Sequence, residues 1–429
     1  MICGGRGGVA AAFYRMSSKM KSATRVLFGS YYNYLDQTSG AAISTRALLR
    51  ALSRRGYEAR VFCGPFFDDL QMNERAFFQT VGRLETQVAV KEYNARFDGR
   101  TVPCRLVSFN DSGVDVSILT TPGSFSLAER ARWFGSPVGS LFYRLLDAEI
   151  ETFKPDFFTT YGGDARLGKA ANKAKERGGS AVFLLHNLSY NRKDVFNPFD
   201  AVVVPSRYAQ KFYFDSLGLE TRVVPPIIDE SRVVVQENTR KFLTFINPTV
   251  EKGRLFFVRL ARELNKVRPD VPLLAVETRA KADAFRSSSL ARELTNLHSM
   301  ETTDDPRHFY RQTRILLVPS LCKESFGRVV VEAGLNEIPV LCSNRGALPE
   351  VAGDPRLVLP IPERLTPFSN LTPTPEETAP WLASVLELWD DGEYYQEIGR
   401  SLKRGVSRFS QKASEDASFE FFEEFVKKC

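Results

Sequence analysis

The stretch Val318-Pro-Ser-Leu-Cys-Lys-Glu-Ser-Phe-Gly-Arg-Val-Val-Val-Glu-Ala333 joins the end of one apolar run to the start of another. Ile315 to Pro319 reads as a buried strand, the polar residues after it as a loop, and Gly327 as the opening of a helix that carries Glu332. If all of Glu324 to Glu332 were helical, the two carboxylates would be separated by ~12 Å of rise and ~80° of rotation. That exceeds the roughly 5–5.5 Å of a nucleophile and acid pair in retaining glycosidases and suits a grip on two parts of one long polyol. The amides of Ser325 to Arg328, at the helix start, favour an anion, which makes a diphosphate the natural middle of such a ligand. Taken alone, Glu324 also reads as a loop acid capping the helix and Glu332 as a solvated helix acid.

Outward from this unit, apolar runs alternate with amphipathic segments, the pattern of βα units feeding parallel sheets. Upstream lies Phe242-Leu-Thr-Phe-Ile246, a loop ending at Lys252-Gly253, and a helix with Phe257, Leu260, Ala261, Leu264 and Val267 on one face. Lys252 stands where a cation meets phosphate, and also reads as a plain surface lysine. Strands at Pro272–Val276 and Pro339–Cys342 complete this series. An earlier series opens with Arg25-Val-Leu-Phe28, a loop from Gly29 to Gly40, and a helix that stops at Gly56. It continues through Glu58–Cys63, Asp156–Thr160, Ala181–Leu185 and Ala201–Pro205. The paired prolines of Val223-Val-Pro-Pro-Ile-Ile-Asp229 forbid helix and mark a junction. The fold class is therefore α/β, with two Rossmann-like doubly wound domains facing a cleft, and ligands belong at the carboxyl ends of strands. The expected division is a basic mobile tail at 1–24, one Rossmann-like domain at 25–225, a second at 226–405, and a C-terminal helix at 406–429 with apolar surface for docking.

With 429 residues, 25% of them charged and 43% hydrophobic, the chain is long enough for two or three cores and lacks the bias of a disordered or fibrous protein. Its formal charge is +7, but Arg6, Arg15, Lys19 and Lys21 supply four of those charges before residue 24. The rest of the chain carries too little excess to argue for nucleic acid. No apolar run approaches the ~18 residues of a membrane span, and the first residues lack the pattern of a secretory signal. Six cysteines at scattered spacings and three histidines form no zinc pattern and fit a reducing, cytoplasmic compartment.

In sum the motifs resemble the retaining, two-domain glycosyltransferases of family 4, which have the GT-B fold, and the likeness runs from about residue 25 to the C-terminus. Glu324 and Glu332 match that family's E-x7-E motif, with Ser325-Phe-Gly327 and Ile338-Pro-Val340 in place. Lys252-Gly253 matches its phosphate-clamping K-G, and Asn344-Arg-Gly-Ala-Leu-Pro-Glu350 its later G-x-P-E loop. Thr38-Ser-Gly-Ala41 is similar to the loop after its first strand, and His186 in Leu184-Leu-His-Asn-Leu188 to a histidine of its first domain. The resemblance implies a donor site in which Glu324 contacts the hexose hydroxyls and Glu332 the ribose. Lys252, Gly253 and the segment Ser325, Phe326, Gly327 and Arg328 hold the diphosphate, Gly40 faces it, and His186 approaches the sugar from the other domain. Without that resemblance, His186 reads as a core histidine at a strand end and Gly40 as a loop or N-cap glycine.

The implied reaction moves a hexose from a nucleoside diphosphate sugar to the hydroxyl of a glycan, lipid-linked or small-molecule acceptor. No cofactor and no metal is expected, since the chain has no D-x-D pair to grip one and no residue stands out as a nucleophile. Loops from Gly29 to Gly40 and the stretch Phe66 to Pro122 are the expected acceptor side, with Tyr31, Tyr32 and Tyr34 as stacking or packing aromatics. Two departures stand out. Ile246 and Asn247 occupy the places of the family's G-R pair, so Arg328, Arg345 or Arg254 would have to supply the missing cation. Glu337 also replaces the small residue before Ile338-Pro-Val340. A non-catalytic sugar-nucleotide-binding or scaffold protein of the same fold is the alternative, and peripheral contact with the inner face of a membrane is a further expectation.

Overall fold

The computed structural model describes residues 23–70, 72–97, 100–279, 294–301 and 303–426, so most of the expected tail lies outside the described residues. The first sheet is built from β1 (Arg25–Tyr32), β2 (Glu58–Phe66), β3 (Ala89–Phe97), β4 (Arg100–Asp111), β5 (Val114–Thr120), β6 (Phe157–Thr160), β7 (Ser180–Leu184), β8 (Ala201–Val204) and β9 (Arg222–Val223). Their spatial order is β3-β4-β5-β2-β1-β6-β7-β8-β9. From β5 to β9 every pairing is parallel, while β3, β4 and β5 form an antiparallel extension at one edge. The second sheet comprises β10 (Phe242–Ile246), β11 (Leu273–Val276), β12 (Leu297–Met300), β13 (Thr313–Val318), β14 (Val340–Ser343) and β15 (Val358–Leu359), all parallel. It runs β12-β11-β10-β13-β14-β15.

This order places the chemistry. The second sheet grows first to one side of β10 and then, from β13, to the other, so the crossovers leave a crevice between the carboxyl ends of β10 and β13. The same reversal falls between β1 and β6 in the first sheet. The central strands β1, β6, β10, β11, β13 and β14 are buried on both faces because helices cover them. The helix Arg254–Val267, for example, puts Phe256, Phe257, Leu260 and Leu264 into the second core, with Phe257 stacked on Phe245 at 4.8 Å. Val267, expected on that face, is instead 55% exposed, because the helix ends there and its last turn overhangs the core.

Two readings of the first domain are corrected. The loop expected from Gly29 begins only at Asn33, since β1 continues to Tyr32. The stretch Phe66 to Pro122, read as loop, contains the helix Glu74–Gly82 and the β3–β4–β5 extension. At its C-terminus the chain returns to the first domain through the helix Gln411–Val426. Phe422 meets Phe157 edge-on at 5.0 Å, and Arg54 pairs with Glu415 at 2.6 Å. Burying two phenylalanines, Phe421 and Phe422, contributes about 1.5–3 kcal/mol each, which makes this crossing more than a surface contact. No described helix is long and apolar enough to cross a membrane.

Candidate active site

A cleft of about 1400 Å³ lies between the two domains. Gly40, His186, Lys252, Glu324, Ser325, Phe326, Gly327, Arg328 and Glu332 all line it, although they come from four separate βα connections. Gly253 stands just behind the lining. Its φ is +90°, and a Cβ there would lie 2.1 Å from the Pro319 carbonyl oxygen, so only glycine lets the β10 loop pack against the end of β13. Gly253 and Gly327 are the left-handed N-caps of the helices Arg254–Val267 and Arg328–Leu335, and neither helix has a side-chain cap. Their N-terminal partial positive charges are therefore left for a ligand. The helix Gly40–Arg54, in contrast, is capped by the Ser39 side chain.

Glu324 lies in the loop and not in the helix, which starts at Arg328. A bridge to Gly346 and the hydrogen bond from the Ala347 amide to the Glu324 carbonyl at 2.8 Å fix its backbone. Gly346, with φ +67°, is pressed so close that a Cβ would sit 2.3 Å from the Glu324 amide nitrogen and carbonyl oxygen. Lys252 Nζ donates to Glu324 Oε1 at 2.6 Å, and Ser320 Oγ donates to the same oxygen at 2.7 Å. Burial alone would raise the Glu324 pKa, but the Lys252 ammonium and these hydrogen bonds hold it below the ordinary carboxylate value. Burial opposes the charge on Lys252 as well, and Glu324 more than offsets it. The adjacent Cys322 thiol is pushed up to about 12 by burial and the Glu324 charge, so it stays neutral.

Glu332, on the second turn of its helix, accepts a hydrogen bond from Tyr310 OH at 2.7 Å and pairs with Arg328 at 3.4 Å. Arg328 also crosses the cleft, donating to Ser44 Oγ at 3.0 Å on the first domain. His186 follows β7. Its carbonyl accepts from Ser325 Oγ at 2.5 Å, and Ser206 Oγ donates to the Ser325 carbonyl at 2.7 Å, which stitches the two domains at the Glu324 loop. Burial, reinforced by the Arg328 charge, lowers the His186 pKa to about 4, so the ring is neutral, and its buried Nε2 has no hydrogen-bond partner. Asn247 adopts φ +61°, a region asparagine tolerates, and leaves its Oδ1 buried without a partner in the cleft wall. Of the three arginines expected to replace the missing cation, Arg328 and Arg345 line the cleft and Arg254 does not.

Several contributors escaped the sequence reading. Tyr310 and Ser44 belong to no motif, and Ser320 and Ser206 are ordinary serines until the fold brings them to Glu324 and Ser325. Glu350, from the G-x-P-E loop, accepts from the amides of Arg207 and Tyr208 at 3.0 and 2.8 Å, capping a helix of the opposite domain. Among the described residues no group of three or more His, Cys, Asp and Glu side chains could hold a metal ion.

Residues 228–359 match the family model of glycosyl transferases group 1. The match spans the second sheet. No curated protein matches the chain. Among solved structures, a glycosyltransferase from Rickettsia africae ESF-5 is similar at TM-score 0.66 and 13% identity, covering 95% of this chain and 100% of its own. A sucrose-phosphate synthase from Thermosynechococcus elongatus gives 0.68 and 14%, with the same coverage. The catalytic domain of starch synthase IV from Arabidopsis thaliana, bound to ADP and acarbose, gives 0.63 and 13%, again covering 95% and 100%. At these identities the likeness establishes the fold, two Rossmann-like domains across a cleft.

Proposed function

We propose that this protein is a retaining glycosyltransferase that moves a hexose from a nucleoside diphosphate sugar to an acceptor hydroxyl without a metal ion. The observation that carries the reading is the gathering of Lys252, Glu324, Arg328 and Glu332 at the switch point of the domain that matches group 1 glycosyl transferases. In this reading the diphosphate lies across the two uncapped helix N-termini, held by Lys252 and by Arg328 in place of the arginine that Asn247 displaces. Glu332 takes the ribose and Glu324 the hexose hydroxyls. Charge that develops on the leaving diphosphate is stabilised by these fixed cations and amides, the electrostatic role a divalent cation serves elsewhere. With no protein nucleophile assigned, the leaving phosphate itself accepts the proton of the attacking hydroxyl on the face it departs from. His186, neutral and with Nε2 unpartnered, is suited to meet the donor sugar by hydrogen bond and not by charge. The ADP of the starch synthase structure supports a nucleoside diphosphate as ligand. The acceptor is a glycan, lipid-linked or small molecule, and the setting cytoplasmic, with peripheral contact at the inner face of a membrane.

A second reading, a sugar-nucleotide-binding protein without turnover, is favoured by Asn247 alone. The experiment that separates them is a thermal-shift screen against UDP, GDP, ADP and their common sugar conjugates, with and without EDTA, followed by assay of nucleotide release. Stabilisation by one series with release of its diphosphate, unaffected by EDTA, is expected. Stabilisation without release from any conjugate across an acceptor panel would favour the second reading.

A further inference from the structure

The two carboxylates assigned to hydroxyl recognition are each ion-paired with one of the two cations assigned to the diphosphate. Lys252 and Glu324 meet at 2.6 Å with side chains 24% and 16% exposed, and Arg328 and Glu332 meet at 3.4 Å with side chains 16% and 11% exposed. A diphosphate seated between the uncapped helix ends would draw Lys252 and Arg328 to its own oxygens, because a doubly charged ligand competes better than one carboxylate for each cation. Each carboxylate would then have lone pairs to offer a sugar or ribose hydroxyl. Conversely, a hydroxyl ligand without phosphate has to compete with a buried ion pair at both ends. Besides these cations, Glu324 accepts from the Ser320 hydroxyl at 2.7 Å and the Cys322 thiol at 3.9 Å, and Glu332 from the Tyr310 hydroxyl at 2.7 Å.

From this we infer that phosphate recognition and hydroxyl recognition are coupled through exchange of the Lys252–Glu324 and Arg328–Glu332 pairs, so that the diphosphate unmasks the hexose and ribose subsites. The inference rests on the donor-site reading above and adds an order to it, diphosphate before sugar and ribose. By linkage the coupling acts both ways, and removing either carboxylate raises the affinity for a bare diphosphate. Because Arg328 also holds Ser44, the ribose end of this exchange includes a contact between the domains.

The probe is inorganic pyrophosphate, which has no hydroxyl arm, titrated calorimetrically into the wild type and into Glu324→Gln, Glu332→Gln and Glu251→Gln. Glu251 lines the same cleft, and no ion pair ties it to either cation, so it reports the general effect of removing one negative charge. Pyrophosphate affinity is expected to rise about fivefold in the first two variants and by less than about twofold in the third. An unchanged affinity in Glu324→Gln and Glu332→Gln, or an equal rise in Glu251→Gln, would overturn the coupling. The converse variant, Arg328→Met, should bind a nucleoside, tried as uridine, adenosine and guanosine, about fivefold more tightly than the wild type, since Glu332 is released. Weaker or unchanged nucleoside binding there would contradict the inference. Titration of UDP, ADP and GDP into the wild type keeps the two levels apart: if none binds, the donor-site reading fails, whereas binding without the carboxylate effect removes the coupling alone.

Discussion

Replacing Gly346 by alanine separates the placement of Glu324 from the stability of the fold. The new Cβ would lie 2.3 Å from both the amide nitrogen and the carbonyl oxygen of Glu324 and 2.8 Å from the Lys323 carbonyl carbon, all of them backbone atoms that no rotamer change can clear. Relief therefore requires the Glu324 loop to move by roughly 1 Å, a displacement that can cost about 100-fold in rate when the group positions a substrate. The φ of +67° adds strain of about 1–2 kcal/mol for a residue with a Cβ, so the melting temperature should fall by only a few degrees. Gly353→Ala is the matched control. Its φ is +69°, yet its nearest neighbours are Arg408 Nη2 at 3.7 Å and Gly405 Cα at 3.9 Å, so it carries the strain without touching Glu324. The assay is release of nucleoside diphosphate from the donor identified by thermal shift, beside a thermal melt of each variant. Gly346→Ala should lose about two orders of magnitude in rate and Gly353→Ala almost none, at similar melting temperatures. Equal rates in the two variants would refute the claim that the Gly346 contact sets the position of Glu324.

Three further outcomes follow from buried groups. His186 has a folded pKa of about 4 against an ordinary 6.5, so the unfolded chain takes up its proton first as pH falls. Stability should therefore decline from pH 6.5 towards 4, and denaturant titrations of His186→Gln should lack that part of the slope. Asp111, 2% exposed, accepts from Arg46, Arg50 and Tyr34, and although burial acts to raise its pKa, the two guanidiniums hold it down at about 2. Asp111→Ala leaves both arginines facing a buried gap and should cost about 3–5 kcal/mol, while the wild-type contribution, present above pH 3.8, is lost as pH falls towards 2, both read by chemical denaturation. Phe422→Ala, which empties the seat of the C-terminal helix on the first domain, should cost about 3–5 kcal/mol and lower the melting temperature, whereas an unchanged melt would mean that the crossing helix contributes little.

Much of the donor half of the molecule was legible because its signals are local. An apolar run marks each central strand of the second sheet, and a glycine with the wrong sterics for anything else marks each helix start, Gly253 and Gly327. The Glu324 and Glu332 spacing could be read in one dimension for the same reason. What stayed hidden depends on distant partners. In the β3–β4 hairpin, Tyr93, Ala95 and Phe97 alternate with Glu92, Asn94 and Arg96, but Lys91 breaks that period and the strand never forms an apolar run. Likewise β12 is a half-exposed edge strand, Leu-His-Ser-Met, with no apolar run. Tyr310 reaches Glu332 across 22 residues, Ser44 reaches Arg328 across 284, and nothing in either local sequence announces the contact. The choice between Arg328, Arg345 and Arg254 as the replacement cation was open in the sequence for this reason: position 254 begins a helix just as 328 does, and only the fold shows that Arg328 and Arg345 line the cleft and Arg254 does not.

The most direct test of sugar transfer is to incubate the purified protein with UDP-, GDP- and ADP-glucose in EDTA and measure release of the nucleoside diphosphate, with Glu324→Gln alongside. Release is expected from one of the three at a rate that an added acceptor raises and that Glu324→Gln lowers by at least about 100-fold, with the variant's melting temperature close to that of the wild type. Release from none of them by a well-folded protein that binds the nucleotides, or full release by Glu324→Gln, would contradict the proposed transfer.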